Sequence, residues 1–574
     1  MSQASIRWIG GPVLRAAARG PFQVHEALTI GERGILGEVV QLNADEVVAQ
    51  VYEDTTGLRP GDPVKGSGSP LAVTLGPGVL GRIFDGLLRP LADPSVHFLA
   101  GGVGGPRDGR FRFRPTVAAG DRCDPGMPIG VVERPGPALK TLVPPDCKGV
   151  VDRIVAEGEY DEQETVCVLV DDDGRRHDIA LSHDWAVRRP RPVRGRLAPA
   201  APMVTGQRIL DNLFPVVRGG RAALPGGFGT GKTVLQESLA KWCDADVIVY
   251  VGCGERGNEM AEVLEEFPGL DDPRTGRPLM ERTVIIANTS NMPVAAREAS
   301  VYTAITVAEY FRDQGLHVAL MADSTSRWAE ALREVSGRLG ELPGESGYPA
   351  YLSSRLAEFY ERAARAETLA GEEGSVTVIG AISPPAGDFS EPVTSHTKRY
   401  VRTFWALDST RAQARFYPAI DPLVSYAEEV NPLSQWWQQQ GMPDWVENRQ
   451  RVLALLGEQA RLERMARIVG KDALPPRQQL TLLCAEVVND GFLYQSSFSP
   501  VDRYCSPARQ AKMMALLMHF IDTAGAAVDR GVNVDDIAAL PLLRQLRRLG
   551  EEVAEDDLEA TTRLRAQVGE AFQE

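Results

Sequence analysis

The chain of 574 residues is long enough for about four domains at roughly 150 residues each, and 43% hydrophobic, 24% charged and 7% aromatic residues exclude a disordered or fibrous protein. A formal charge of −15 argues against broad capture of nucleic acid or anionic lipid by the overall field, leaving room for a local basic pocket. The abundance of Gly (56) and Pro (40) predicts many turns and an all-β portion.

Residues Met1 to Arg19 lack the uninterrupted apolar core of a signal peptide, and no window approaches the ~20 apolar residues that cross a bilayer. From Ile6 to about Val73, short strands between turn signals, Ile35–Leu42, Glu46–Tyr52 and Gly57–Val64, alternate with period two. They predict a small β-barrel over 1–73. Residues 74–110 read as a linker through Gly76-Pro77-Gly78 and Pro90. A second Gly/Pro-punctuated β-rich stretch is expected over 111–190, with a turn at Asp171–Gly174. Its end is the basic run Val187–Arg194, read as a solvated interdomain linker.

After about Ala201 the pattern changes. Apolar runs Asp246–Gly252, Thr283–Asn288, His317–Asp323 and Ser375–Ala381 alternate with helical segments. One helix is expected after Pro293, with Val294, Ala295, Ala299, Tyr302, Ile305 and Tyr310 at helical spacing. Continuous apolar strands joined by helices predict a parallel sheet covered on both faces, placed over 191–424. The stretch 425–574 reads as a helical domain, with long runs at Asn448–Ile468 and Gln510–Arg530. No internal repeat of 20 to 50 residues is present. The seven scattered cysteines, Cys123, Cys147, Cys167, Cys243, Cys253, Cys484 and Cys505, have no zinc-type spacing and read as reduced cytosolic thiols.

One segment carries explicit chemistry. Gly226-Gly227-Phe228-Gly229-Thr230-Gly231-Lys232-Thr233, followed by Val234 and a predicted helix to Trp242, satisfies the phosphate-loop pattern G-x-x-x-x-G-K-[ST]. The glycines let backbone N–H groups converge on phosphates, and the helix N-terminus adds partial positive charge. Lys232 can bridge the β and γ phosphates, and the Thr233 hydroxyl can ligate Mg²⁺. Downstream, the strand His317–Asp323 ends in an acid. Such an Asp either holds Mg²⁺ or its water or caps the helix beginning near Ser326, and the upstream phosphate loop favours the metal role. Glu255 ends the strand after the phosphate loop and can polarise a water for attack on the γ phosphorus. The same Gly-Glu-Arg tripeptide at Gly31–Arg33 reads as a plain turn.

Beyond the phosphate loop, the matching stretches are Val249 to Met260 (VYVGCGERGNEM), Asn288 to Ser300 (NTSNMPVAAREAS), Ala319 to Glu334 (ALMADSTSRWAEALRE) and Val501 to Ser506 (VDRYCS). With them the chain resembles, over nearly its whole length, the catalytic A subunit of V/A-type (vacuolar or archaeal type) rotary ATPases. The resemblance implies a multidomain fold: an N-terminal β-barrel, a β-rich bulge insertion, a RecA-like α/β P-loop domain and a C-terminal helical domain. It implies ATP hydrolysis or synthesis coupled to shaft rotation and transmembrane H⁺ or Na⁺ transport, with Mg²⁺ as cofactor. Gly226 to Val234 would hold the nucleotide, Thr233 and Asp323 the metal. Glu255 would orient water, Arg256 would face the γ phosphate, and Arg327 would be structural or at an interface. Tyr417 and Phe498 would wall the adenine. Thr230 stands where eukaryotic relatives carry a cysteine, and Phe416–Leu423 reads more like the F-type β subunit.

The implied partners are B subunits in an alternating A3B3 ring, supplying an arginine in trans, together with a central rotor shaft and peripheral stalk. Nucleic acid is not expected, and membrane contact would be only through the ion-translocating sector, the chain lying on the cytoplasmic face, in a prokaryote that of the plasma membrane. An export ATPase would share the core but lack the long insertion, a ring helicase would need strand-binding loops that the acidic balance does not support, and a non-catalytic nucleotide-holding subunit would be expected to lose Lys232 or Glu255. The acidic stretch Gly550–Asp557 reads as a solvated helix end.

Overall fold

The computed structural model describes residues 2–91 and 109–572, which divide into two compact units. Among the described residues, one comprises 2–91, 109–198, 245–384 and 389–400, the other 199–244, 385–388 and 401–572.

The first unit begins with a closed six-stranded barrel in the order Gln3–Gly10, Val13–Arg19, Glu46–Val51, Ile35–Leu42, Glu26–Ile30 and Pro63–Pro70. Alternation along these strands turns Ile6, Leu14, Leu28, Val39, Val47 and Val64 into its core. Gly31–Arg33 is a turn, as expected. The expected strand from Gly57 instead starts at Pro63. Gly57 (φ +93°) and Gly61 (φ +99°) lie in the left-handed region, and Pro60 interrupts the run between them, so the backbone before Pro63 turns rather than extends. Of the expected linker, 92–108 lies outside the described residues. The part before it is not a free connection. Ala72–Leu75 pairs with His183–Ala186, and Ile83–Phe84 adds a parallel strand beside Thr283–Thr289.

The insertion is built from two four-stranded sheets, one ordered Arg122–Cys123, Gly149–Ile154, Thr165–Val170, Arg176–Ala180, the other Leu139–Leu142, Pro128–Glu133, Arg110–Pro115, Gly158–Asp161. Phe113, Ile129, Val151, Leu169 and Ile179 form its core.

The same unit contains the parallel strands Glu373–Ile382, His317–Asp323, Val247–Glu255 and Thr283–Thr289, adjacent in that order. They are apolar almost throughout because they are buried. The helix Val294–Arg312 begins where its spacing predicts and lies against Val247–Glu255 and His317–Asp323. It is buried along almost its whole length, including Glu298 and Glu309, and those carboxylates require partners. The basic run supplies the partner of Glu298 and donates the Arg191 N–H (2.9 Å) to Glu309, whose ionic partner is Arg362 (2.6 Å); this corrects the run's reading as a solvated linker. Arg188 bridges Glu38 of the barrel (2.8 Å) and Glu298 (2.8 Å), while Arg191, 3% exposed, pairs with Asp313 (2.6 Å). Charge density in the sequence suggested solvent, but the buried acids lie more than a hundred residues away, beyond any local pattern.

The second unit holds the strand Arg221–Pro225, parallel to Thr403–Phe404, and the helix Lys232–Trp242. Its C-terminal part is helical. Trp445–Val469 packs on Pro476–Val488, and Pro507–Asp529 packs on Pro476–Val488 and Ala560–Ala571. Pro507–Asp529 is long and apolar enough to cross a membrane by length and composition, contrary to the expectation that no window would be. Most of it is buried inside the fold, with Met513, Leu517 and Phe520 in the core, so its apolarity has an explanation within the bundle. Glu551, Glu552, Glu555 and Asp556 are exposed, in keeping with a solvated helix end.

Candidate functional site: a phosphate loop beside an apolar cleft

In the second unit the buried strand Arg221–Pro225 ends directly at the glycine loop. A Cβ at Gly226 would meet Leu407 and Thr230 at 2.6 Å. Gly229 (φ +75°) and Gly231 (φ +82°) take a backbone conformation that side chains disfavour. The Thr230 hydroxyl donates to the Gly227 carbonyl (2.8 Å) and closes the loop. Gly231 then caps the helix Lys232–Trp242 without any side-chain hydrogen bond. The positive end of the helix dipole at this N-terminus favours an anion. Lys232 and Thr233 are the first two helical residues, both half-buried.

Beside this loop lies a cavity of about 380 Å³, lined by Gly229, Gly231, Val234, Leu235, Leu407, Tyr417, Pro418, Ala419 and Phe498, with Gln207, Ser238, Gln495 and Ser497. The structure therefore brings together Gly229, Gly231, Val234, Tyr417 and Phe498 from three distant stretches of sequence. The Tyr417 ring lies 3.2 Å from where a Gly231 Cβ would stand. Phe498 is 92% exposed and Phe228 93% exposed: one presents its ring at the cleft, the other stands on the loop outside it. A largely apolar slot with polar groups at its margin, adjoining an anion cradle, suits a flat aromatic ring attached to phosphates.

Gln207, Ser238 and Gln495 were not anticipated, since each stands outside a recognisable motif. Gln495 is central. It accepts from the Arg208 N–H (2.8 Å) and donates to the carbonyls of Gly206 (2.8 Å) and Asp502 (2.9 Å), and its own N–H donates to the Tyr417 carbonyl (2.8 Å). Arg208, fully buried, pairs with Asp502 (2.5 Å) and donates to the Phe492 carbonyl (2.7 Å). This network anchors both segments that carry the aromatic walls. Asp211 accepts from Thr205, Gly206 and Gln510. Burial nevertheless pushes its carboxyl up to about 6.

The remaining sequence-predicted residues belong to the first unit. In the parallel register Gly252 stands opposite Asp323, so Glu255 and Asp323 occupy the carboxyl ends of neighbouring strands, the edge where open α/β sheets bind ligands. Asp323 is 2% exposed. It is not the cap of the following helix. That helix, Thr325–Leu339, is capped by Ser324, whose hydroxyl accepts from the Arg327 N–H (3.4 Å). Glu255 is half-buried and follows Gly254 (φ +74°), where a Cβ would meet the Arg297 and Arg327 side chains. Arg256 is exposed at the N-cap of Gly257–Glu266. Arg327 pairs with Glu330 (2.9 Å) and also feels the Glu255 charge, which together hold its guanidinium above the usual value. Cys253, just before Gly254 and Glu255, is buried and its thiol is pushed up to about 12, first by burial.

The proposed metal donors are oxygens, one hydroxyl and one carboxylate, which suit a hard divalent cation. Among the described residues no group of three or more His, Cys, Asp or Glu side chains forms a protein-only metal cage. Mg²⁺ characteristically takes few protein ligands and completes its shell with phosphate and water, and a hydroxyl or a carboxylate oxygen is each the kind of donor it accepts.

Four family models match the chain: the ATP synthase alpha/beta family beta-barrel domain over 8–68, its barrel-sandwich domain over 106–188, its nucleotide-binding domain over 206–427, and the C-terminal domain of V and A type ATP synthase over 434–538. Among similar curated proteins, the A subunit of the A-type ATP synthase of Methanopyrus kandleri is 49% identical over 99% of this chain and 97% of its own length. That of Thermococcus kodakarensis is 50% identical over 99% and 98%. The V-type ATP synthase alpha chain of Halothermothrix orenii is 48% identical over 99% and 98%.

Proposed function

Because the chain belongs to the family of A-type ATP synthase A subunits, catalytic subunits of rotary ATPases, we propose how its own residues divide the work. The triphosphate lies on the loop Gly226–Thr233, with backbone N–H groups on the phosphates and Lys232 across the β and γ oxygens. Adenine enters the cleft between Tyr417 and Phe498. The Thr233 hydroxyl and the Asp323 carboxylate would hold Mg²⁺, which would supply electrostatic neutralisation of the phosphate charge. Glu255 accepts a hydrogen bond from the water and orients it in line with the γ phosphorus, and Arg256 faces the charge that develops there. The reverse sequence makes ATP from ADP and phosphate.

The observation that supports this reading is the continuity of the cleft at Tyr417 with the left-handed glycines 229 and 231, the arrangement that an aromatic base joined to phosphates would need. The chain works in a ring of three A and three B subunits, an arginine from B completes the pocket, and the C-terminal helices press on a central shaft held against a peripheral stalk. The membrane is reached through the ion-translocating sector, with this chain on the cytoplasmic face. ATP turnover by the complex reconstituted with B subunits tests the assignment. Glu255→Gln should lower kcat by about 10²-fold or more while nucleotide binding persists, and an unchanged kcat would remove Glu255 from the chemistry.

A further inference from the structure

The insertion holds a constellation that the nucleotide chemistry does not use. Cys147, in the loop before Gly149–Ile154, has its Sγ 3.9 Å from His177 Nδ1. The opposite ring nitrogen, Nε2, is 3.1 Å from Asp171 Oδ2. The carboxylate is itself held in place, since Asp171 Oδ1 accepts the N–H groups of Asp173 (2.9 Å) and Arg175 (2.8 Å) in the turn between two strands. The hydrogen bond from His177, followed by that from Arg175, lowers the Asp171 carboxyl below its usual range. An ionised carboxylate only accepts, so the neutral ring carries its proton on Nε2 and presents the Nδ1 lone pair to the thiol. A nucleophile, a base and a group orienting the base stand in line.

Accessibility singles out the same residue. Of the seven free cysteines six are buried and Cys147 alone is partly exposed. Burial pushes Cys253 and Cys484 up to about 12 and Cys167 and Cys505 up to about 11, which makes them inert. Cys147 is also raised, by its partial burial and then by Asp146, so its resting form is the thiol. Asp146 is paired with Arg189 at 3.0 Å.

We propose that Cys147, with His177 as base and Asp171 orienting it, is a thiol-modification site that forms a mixed disulfide with low-molecular-weight disulfides. In the exchange the Cys147 S–H bond breaks and its proton passes to His177 Nδ1. Sγ bonds to one sulfur of the reagent, the reagent's S–S bond breaks, and the departing thiolate takes the proton from His177. The reagent disulfide is thereby reduced to one free thiol while the other half stays on the protein.

The full native chain, treated at neutral pH with 5,5′-dithiobis(2-nitrobenzoate) and mapped by peptide mass spectrometry, should show one fast-reacting thiol, at Cys147. Cys147→Ser should abolish the fast phase. His177→Gln and Asp171→Asn should each slow it by about tenfold or more, and glutathione disulfide should leave a single adduct at the same residue. A variant that loses its fold reveals itself by fast reaction of the normally buried thiols, and the other variant then gives the rate comparison. A fast thiol elsewhere, no fast thiol in the wild-type chain, or a wild-type rate at Cys147 in a folded His177 or Asp171 variant would overturn the proposal.

Discussion

Gly231 shows how much one residue can carry. It adopts φ +82°, begins the helix that bears Lys232 and Thr233, and lets the Tyr417 ring approach within contact distance. A methyl group there meets two costs at once, a strained backbone and a crowded ring. Gly231→Ala should therefore weaken nucleotide binding by at least about tenfold, as read by equilibrium dialysis or quenching of a fluorescent analogue, and lower the melting temperature, since both costs fall on the folded state. Tyr417→Ala leaves the phosphate cradle intact and removes one wall of the cleft. At about 0.5–1.5 kcal/mol for an aromatic stack, the KM for ATP should rise by about two- to tenfold and kcat should hardly change. The glycine loop and the helix that follows it were legible in the sequence because such a loop must be contiguous to fold around an anion. Tyr417 and Phe498 were reached only through resemblance, and Gln207, Ser238 and Gln495 not at all, because their convergence depends on segments far apart in the chain.

The element that matters most to the cleft is the segment from Phe492 to Asp502, which has little regular structure and is positioned by the buried Arg208–Asp502 pair and by Gln495. Breaking a buried pair by removing one partner leaves an uncompensated charge and typically costs about 3–5 kcal/mol. Asp502→Ala should thus lower the melting temperature of the chain by several degrees and raise the KM for ATP, with both effects measured on the same preparation; a loss of stability with an unaltered KM would separate this network from the cleft. Strands and helices with strong periodicity, His317–Asp323 and Val294–Arg312 among them, were legible to within a residue or two. The strand starting at Pro63 and the short pairings of Ala72–Leu75 and Ile83–Phe84 were not, because glycine turns and two- to four-residue strands leave too little periodic signal.

Across the first unit, stability depends on charges that the fold has taken out of water. Glu38 is fully buried. Burial alone would push its carboxyl up, but the Arg188 charge and hydrogen bonds from His25, Arg188 and Tyr52 outweigh that and hold it near 2 against an ordinary 4.5. A depressed carboxyl stabilises the fold above pH ~4.5 and loses that contribution as pH falls toward about 2, a difference of about 3 kcal/mol. Thermal or denaturant unfolding of the full chain as a function of pH should show this acid limb. Glu38→Gln should be less stable than wild type at neutral pH, and the gap should close as the medium is acidified through that window. At the level of assembly, the single chain should turn over ATP slowly, and adding B subunits should raise the rate by about 10³-fold or more if an arginine arrives in trans. Equal rates for the lone chain and the ring would count against a shared pocket.

The order of the domains, the phosphate loop and the acids at the ends of their strands were determined by the linear sequence, because each is a short-range consequence of chain geometry. Period-two alternation makes a barrel strand, continuous apolarity makes a buried parallel strand, and a few closely spaced residues make a phosphate cradle. What only the tertiary structure decided is which distant side chains meet. Arg188, half-buried, and Arg191, buried, became partners of Glu38, Glu298 and Asp313 instead of a solvated run, Gln495 came to hold the Tyr417 backbone, and Cys147 came to face His177. These outcomes follow from burial, which obliges a charge or hydrogen-bonding group to find a partner wherever the fold provides one, and no local pattern encodes where that will be.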